Sequence, residues 1–245
     1  MAVNTIIPMS RFTVPTCQNC PSRKGLLIGC CPLEELEFIA SNKTSQFYQK
    51  GQIIHQEGTM ALGLHCVHQG KIKISKLGSD HKEQIVRLAR HGDVLGFRAL
   101  VMGSRYTNSA VALEDCVVCF VPRPDFLRLV QSNVQFANSL MQLLAGALTE
   151  AEERMTQLAY KPVRERLAGA LLLLQRTFTE EGAPAGTPFS ISLSREDIAS
   201  LVGTAKETVS RLLSDFRDEG IISTKGSQVT ILDSARLLEI ATLYD

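Results

Sequence analysis

The stretch from Ser192 to Gly220, SLSREDIASLVGTAKETVSRLLSDFRDEG, restricts the fold of this chain more than any other. Ser194 followed by Glu196 and Asp197 places a capping hydroxyl and two carboxylates where the first amides of a helix lack partners. Ile198, Leu201 and Val202 recur at helical spacing, and Gly203 stands where that helix has to end. A second helix over Ala205–Phe216 turns Val209, Leu212, Leu213 and Phe216 inward. Its outer, leading face carries Lys206, Glu207, Ser210 and Arg211. Two helices joined by a short glycine-containing turn make either an ordinary αα-hairpin or a helix-turn-helix whose second member lies in the major groove of DNA. The polar leading face favours DNA. In that role Arg211 reaches a guanine O6/N7 edge, Glu207 accepts from a cytosine amino group, and Ser210 meets a neighbouring base. Thr204, Arg195 and Lys225 are phosphate candidates, with Lys206 between the two roles.

Charge does not carry the DNA argument by itself. The net charge of the 245 residues is only +1, and the part after Lys161 is slightly acidic, so bulk attraction to phosphate is weak. Binding then has to rest on individually placed basic groups. No apolar run approaches the roughly 20 residues that span a bilayer, and the N-terminus lacks a basic start followed by an apolar core. The expectation is a cytoplasmic protein with no membrane partner, whose seven cysteines are free thiols or metal ligands rather than disulfides. A phosphate-binding glycine loop, an HExxH helix and a nucleophile motif are all missing from the sequence, so an enzyme is not expected.

Upstream the chain changes character three times. Residues 1–41 read as an arm bearing Cys17-Gln-Asn-Cys20 and Cys30-Cys31, closed by a short amphipathic helix over Pro32–Ala40. Residues 42–123 show short alternating runs punctuated by glycine. The clearest are Gln52–His55, Leu64–His68, Lys71–Ser75, Gln84–Leu88 and Ser109–Leu113, which imply a closed or two-layered antiparallel β structure. Residues 124–160 are helical with a break near Ser132-Asn133. Met141, Leu144, Leu148, Ala151, Met155 and Leu158 follow at alternating spacings of three and four, a heptad seam that pairs with a second copy or packs on its own domain. Residues 161–245 contain a helix over Val163–Phe178, the Gly182–Pro188 surface loop and the helix-turn-helix. A β-hairpin wing (Ile221–Thr224, Gln228–Leu232) and a short helix capped by Asp233 complete them. The class is α+β.

This order, with Gly92-Asp-Val-Leu-Gly96-Phe, Lys206-Glu-Thr-Val-Ser-Arg211 and Gly220-Ile-Ile-Ser-Thr-Lys-Gly226, resembles the cyclic-AMP receptor protein (CRP) superfamily over nearly the whole chain. The resemblance implies a cyclic-nucleotide-binding-like β-roll, a long dimerisation helix and a C-terminal winged helix-turn-helix. It also implies a homodimer on a palindromic site in double-stranded DNA, in contact with RNA polymerase. The glutamate and arginine that the nucleotide-binding branch uses are replaced near Phe97 and Asn108, so cyclic AMP is not expected; an anionic phosphate without a cationic fork loses its charge-assisted bonds.

The cysteines resemble the oxygen-sensing fumarate–nitrate (FNR) branch, which holds a 4Fe-4S cluster on three N-terminal cysteines and one from the β-roll. Carried onto this sequence, the cofactor ligands are Cys17, Cys20, Cys30 and Cys119. Nine residues lie between Cys20 and Cys30, more than the branch usually has, and Cys30 is preferred to Cys31 because it stands two residues before Pro32. Cys116 reads either as a core residue or as a substitute for Cys119. The thiols by themselves also fit zinc or a redox pair. Cys66 and the neighbouring His65 and His68 read as strand residues, with Cys66 in the core. Glu207, Ser210 and Arg211 resemble the FNR reading triplet, which implies a TTGAT-N4-ATCAA-like palindrome. The competing expectation is a regulator of the same superfamily with no cluster, gated by a small molecule, haem or thiol oxidation.

Overall fold

The computed structural model describes residues 17–20, 23, 27–78, 80, 82–179 and 189–242. The arm before Cys17 and the Gly182–Pro188 loop lie outside the described residues.

A 3₁₀ turn over Cys17–Asn19 precedes helix α1, Leu33–Asn42, whose first turn carries Glu34 and Glu35 at the positive end of the helix dipole. Leu36 and Ile39 are fully buried, whereas Leu33, one turn earlier on the same stripe, stays exposed because the helix meets the core only from its second turn. Eight strands follow: β1 (Thr44–Tyr48), β2 (Ile53–His55), β3 (Gly63–Gln69), β4 (Ile72–Leu77), β5 (Glu83–Ala89), β6 (Val94–Leu95), β7 (Ser109–Ala112) and β8 (Cys116–Pro122). They form two four-stranded antiparallel sheets, β1-β8-β3-β6 and β2-β7-β4-β5. Ile54, Val67, Ile72, Ile74, Ala110 and Val118 pack between them. A six-residue helix α2 (Phe97–Met102) interrupts the roll after Gly96. Gly96 has φ +82°, and a Cβ there would lie 2.8 Å from Tyr106 Cε1, so only glycine suits this corner.

Helix α3 (Arg123–Ser132) and helix α4 (Val134–Tyr160) are separated at Asn133. Its side chain accepts from Phe136 N at 2.9 Å and so caps α4, and its amide donates to Glu35 Oε2 at 2.6 Å, which ties the break to α1. Phe136 and Leu140 are the buried residues of α4. Beyond them the heptad positions Met141, Leu148 and Met155 are 59%, 61% and 67% exposed. Among the described residues these three positions are uncovered, whereas Leu144 of the same seam packs against the core under α1 and α3.

The C-terminal part comprises α5 (Val163–Phe178), β9 (Phe189–Ser192), α6 (Arg195–Val202), α7 (Lys206–Asp218), β10 (Ile222–Lys225), β11 (Gln228–Ile231) and α8 (Ser234–Ala241). The wing has three strands, β10-β11-β9, one more than the hairpin expected from sequence. Leu167, Leu174, Ile198, Val209, Phe216 and Leu237 centre a core that also takes in Ile85, Leu88 and Leu113 of the roll. Burying each such side chain is worth about 1.5–3 kcal/mol. At the same junction Lys73 of β4 binds Asp197 of α6 at 2.7 Å and Glu83 at 2.6 Å.

Candidate sensor cavity and nucleic-acid interface

Strand β8 lies between β1 and β3, and its register sets Ser45, Cys119 and Cys66 abreast on three adjacent strands. Cys119 Sγ is 3.4 Å from Ser45 Oγ, and Lys43 Nζ, at the end of α1, donates to it at 3.5 Å. The 3₁₀ turn brings Cys17 and Cys20 over the same place, where Cys20 Sγ lies 3.4 Å from His68 Nδ1 of β3. Cys17, Cys20, Cys66, Cys119, Lys43 and Val121 line one cavity of about 40 Å³. Burial pushes the Cys17 thiol above its ordinary pKa, against the pull of the Lys43 cation, with the Cys119 and Cys20 thiols adding to the rise. Cys66 is pushed up further, first by burial and then by the neighbouring thiols of Cys119, Cys17 and Cys20.

Three of the four cysteines expected as ligands thus meet, although the arm and β8 are far apart in the chain. Cys30 does not line the cavity. Its Sγ donates to Leu27 O at 3.1 Å in the turn before α1, and Cys31 beside it is buried in the core under α1. Cys116, three residues from Cys119, points through the other face of β8 and donates to Lys71 O and Glu114 O. It is no substitute for Cys119. His65 also faces away, packed with His55, Tyr106 and Phe120, and burial followed by the neighbouring His55 lowers its pKa to about 4.

No three His, Cys, Asp or Glu side chains converge closely enough to hold one metal ion among the described residues. A tetrahedral zinc site requires such convergence at a single point. A polynuclear cluster distributes its thiolates, one per iron, around a larger body. Four soft thiols on one cavity wall, with the Lys43 cation to offset thiolate charge, fit the second chemistry better.

A second cavity, of about 100 Å³, lies between the roll and α4, with Arg87, Arg98, His55, Asn108 and Ala147 on its wall. Asn108 Oδ1 is 3.2 Å from His55 Nε2, and Phe97 is buried beside Gly96.

At the other end, Ser194 Oγ accepts from Asp197 N at 2.9 Å and starts α6, and Gly203 ends it at φ +75°. A Cβ at Gly203 would meet Leu158 Cδ2 of α4 at 2.7 Å, so the turn is fixed by conformation and by packing. Helix α7 buries Val209, Leu212, Leu213 and Phe216 and presents Lys206, Glu207, Ser210 and Arg211 to solvent. Lys206 pairs with Glu196 at 2.7 Å, and Arg211 lies 3.7 Å from Asp215 with 69% of its side chain exposed. Thr204 sits at the turn, half-buried. Arg195 donates to Gly226 O at 3.3 Å and so ties α6 to the wing. This bond, absent from any local sequence signal, draws Arg195 toward the wing turn.

A family described as a cyclic nucleotide-binding domain matches residues 45–133, and one described as a Crp-like helix-turn-helix domain matches residues 165–240. The fumarate and nitrate reduction regulatory protein of Vibrio cholerae is 32% identical over 209 residues, which covers 85% of this chain and 82% of that protein. Its namesake in Escherichia coli K12 is 30% identical over 209 residues, with the same 85% and 82% coverage. Among solved structures, FixK2 from Bradyrhizobium japonicum, 32% identical, has a TM-score of 0.70 over 81% of this chain and 96% of its own. A CRP/FNR-family regulator from Eubacterium rectale, 22% identical, shares the fold with a TM-score of 0.72 over 88% of this chain and 97% of its own.

Proposed function

The chain belongs to the CRP/FNR family of DNA-binding transcription regulators, in its fumarate–nitrate branch, and from that premise we propose that it reads oxygen or a related redox signal through a 4Fe-4S cluster at the thiol cavity. It is a regulator and not an enzyme. The observation that carries the reading is the meeting of Cys17 and Cys20 from the arm with Cys119 from β8 on one cavity. The fourth thiolate expected from sequence is Cys30.

A cluster bound there supplies an oxygen-labile bond between arm and sheet. The chain transmits the state of that bond through packed side chains. Cys17, Leu27, Leu36, Ile39, Phe126 and Phe136 belong to one continuous core, which runs from the arm through α1 to the start of α4. Holding the arm fixes α1, and α1 holds the α3–α4 break through Glu35 and Asn133. The exposed stripe of Met141, Leu148 and Met155 then pairs with the same stripe of a second copy, and the dimer sets two α7 helices about one DNA turn apart. Release of the arm shifts that two-state geometry away from the DNA-competent form.

On the palindrome TTGAT-N4-ATCAA, Arg211 donates to guanine, Glu207 accepts from cytosine and Ser210 meets the neighbouring base. Lys206, Thr204 and Arg195 position the phosphate backbone. The bound dimer then meets RNA polymerase. The experiment is fluorescence anisotropy on a duplex carrying this palindrome and on a scrambled duplex, in an anaerobic chamber and after air. Preference for the palindrome under anaerobic conditions, lost in air, is the expected result. Equal affinity before and after air contradicts the sensing role, and equal affinity for both duplexes contradicts the reading triplet.

A further inference from the structure

We propose that Cys66 supplies the fourth thiolate of the sensor centre and that Cys30 stays outside it, an inference that rests on the cluster reading above. The sequence gives Cys66 no motif; only the strand register reveals its place. Cys66 is the direct cross-strand partner of Cys119, and opposite residues on one face of an antiparallel pair have Cβ atoms about 4.5–5.5 Å apart. The cavity wall contains Cys17, Cys20, Cys66 and Cys119, a complete set of four thiols, and Cys30 is not among them.

The two candidates differ in what already holds them. Cys30 Sγ is bonded to Leu27 O within its own turn. Its neighbour Cys31 is buried against the core under α1, so swinging Cys30 to the cavity means dismantling that packing. Cys66 needs no such movement. It sits on β3, a strand paired on both sides, by β8 and by β6. Two residues on along β3, the His68 imidazole lies 3.4 Å from Cys20 Sγ and so marks the same side of the strand. Two thiols from the sheet then oppose two from the arm. Ligation replaces the S–H proton of Cys66, released to solvent, with a sulfur–iron bond, and no electron moves.

The test is anaerobic reconstitution of the full chain with ferrous and ferric iron in equal amounts and sulfide, followed by iron and sulfide counts and visible absorption. It uses the wild type, Cys66→Ala and the double variant Cys30→Ala/Cys31→Ala. The proposal expects about four irons per chain in the wild type and in the double variant, and a several-fold loss in Cys66→Ala. Retention in Cys66→Ala overturns it, and so does loss in the double variant. A wild-type chain that takes up no iron overturns the cluster reading itself. A second measurement keeps the wild-type fold: iodoacetamide applied to the loaded protein. Alkylation of Cys30 with the absorption intact, and of Cys66 only after the iron is chelated, is the expected pattern. Protection of Cys30 that disappears on chelation overturns the proposal.

Discussion

The recognition helix and the thiol cavity differ in what holds their functional groups in place. Around α7 every constraint is internal to the chain: a serine cap, a left-handed glycine, four buried apolar side chains and an Arg195 bond to the wing. Lys206, Glu207, Ser210 and Arg211 project from this frame into solvent. Around the cavity the side chains meet across elements that are far apart in sequence, and burial pushes the Cys17 and Cys66 thiols above their ordinary pKa. One end is finished by folding alone, and in the proposed reading the other is completed by a cofactor. On that proposal the division suits a regulator, because the part that reads DNA stays constant while the part that positions it responds to chemistry.

The contrast can be broken most severely at Cys119. Cys119→Ala should reduce the iron content from about four per chain to near zero and make DNA affinity indifferent to air, with the thermal unfolding of the iron-free chain little changed. A comparable fall in the stability of the iron-free form would show that the sensor end is also finished by folding. Phe216→Ala attacks the other end. This ring is fully buried beneath α7, and its loss should cost about 3–5 kcal/mol in denaturant unfolding and remove DNA binding with and without oxygen.

Arg211→Ala should leave folding intact and cost about 1–3 kcal/mol per half-site contact, with discrimination lost at one base position. A uniform loss over all sequences would reassign Arg211 to the phosphate backbone. Lys73→Met probes the joint between the two ends. Burial tends to raise the Asp197 carboxyl, but its bonds to Lys73 and Ser194 prevail and hold its pKa below the ordinary value. The stability this contributes is present above the unfolded carboxylate pKa and is lost as pH falls through the folded one. The gap between wild type and Lys73→Met in urea unfolding should therefore be wide near pH ~7 and narrow near pH ~3. Ser194→Ala has the smallest effect, about 1 kcal/mol from the lost cap.

The two ends also differ in how well they could be read beforehand. Caps, heptads and the Gly203 stop are local signals, so α4 to α7 fall where the periodicity of Met141 to Leu158 and Ile198 to Phe216 puts them. The break at Asn133 was legible for the same reason. Strand β8, a continuous apolar run (CVVCFVP), lacks the alternation of a half-exposed strand because it is covered on both faces. The short strands β6 and β9 and the helix α2 have too few residues to show a period. Cys17, Cys20 and Cys119 were legible through a resemblance, whereas the place of Cys66 depends on a β3–β8 register that no spacing encodes. The stripe on α4 could be seen in the sequence as a seam, but which of its positions stay exposed, Met141, Leu148 and Met155, could not.

Anaerobic purification of the wild-type chain, with an optical spectrum and iron and sulfide counts before and after air, tests the central claim most directly. The expected result is a coloured protein with broad visible absorption and about four irons and four sulfides per chain, bleached by air as its preference for the palindrome disappears. A colourless protein, free of iron or loaded with zinc, that binds the palindrome equally well in both conditions would contradict it.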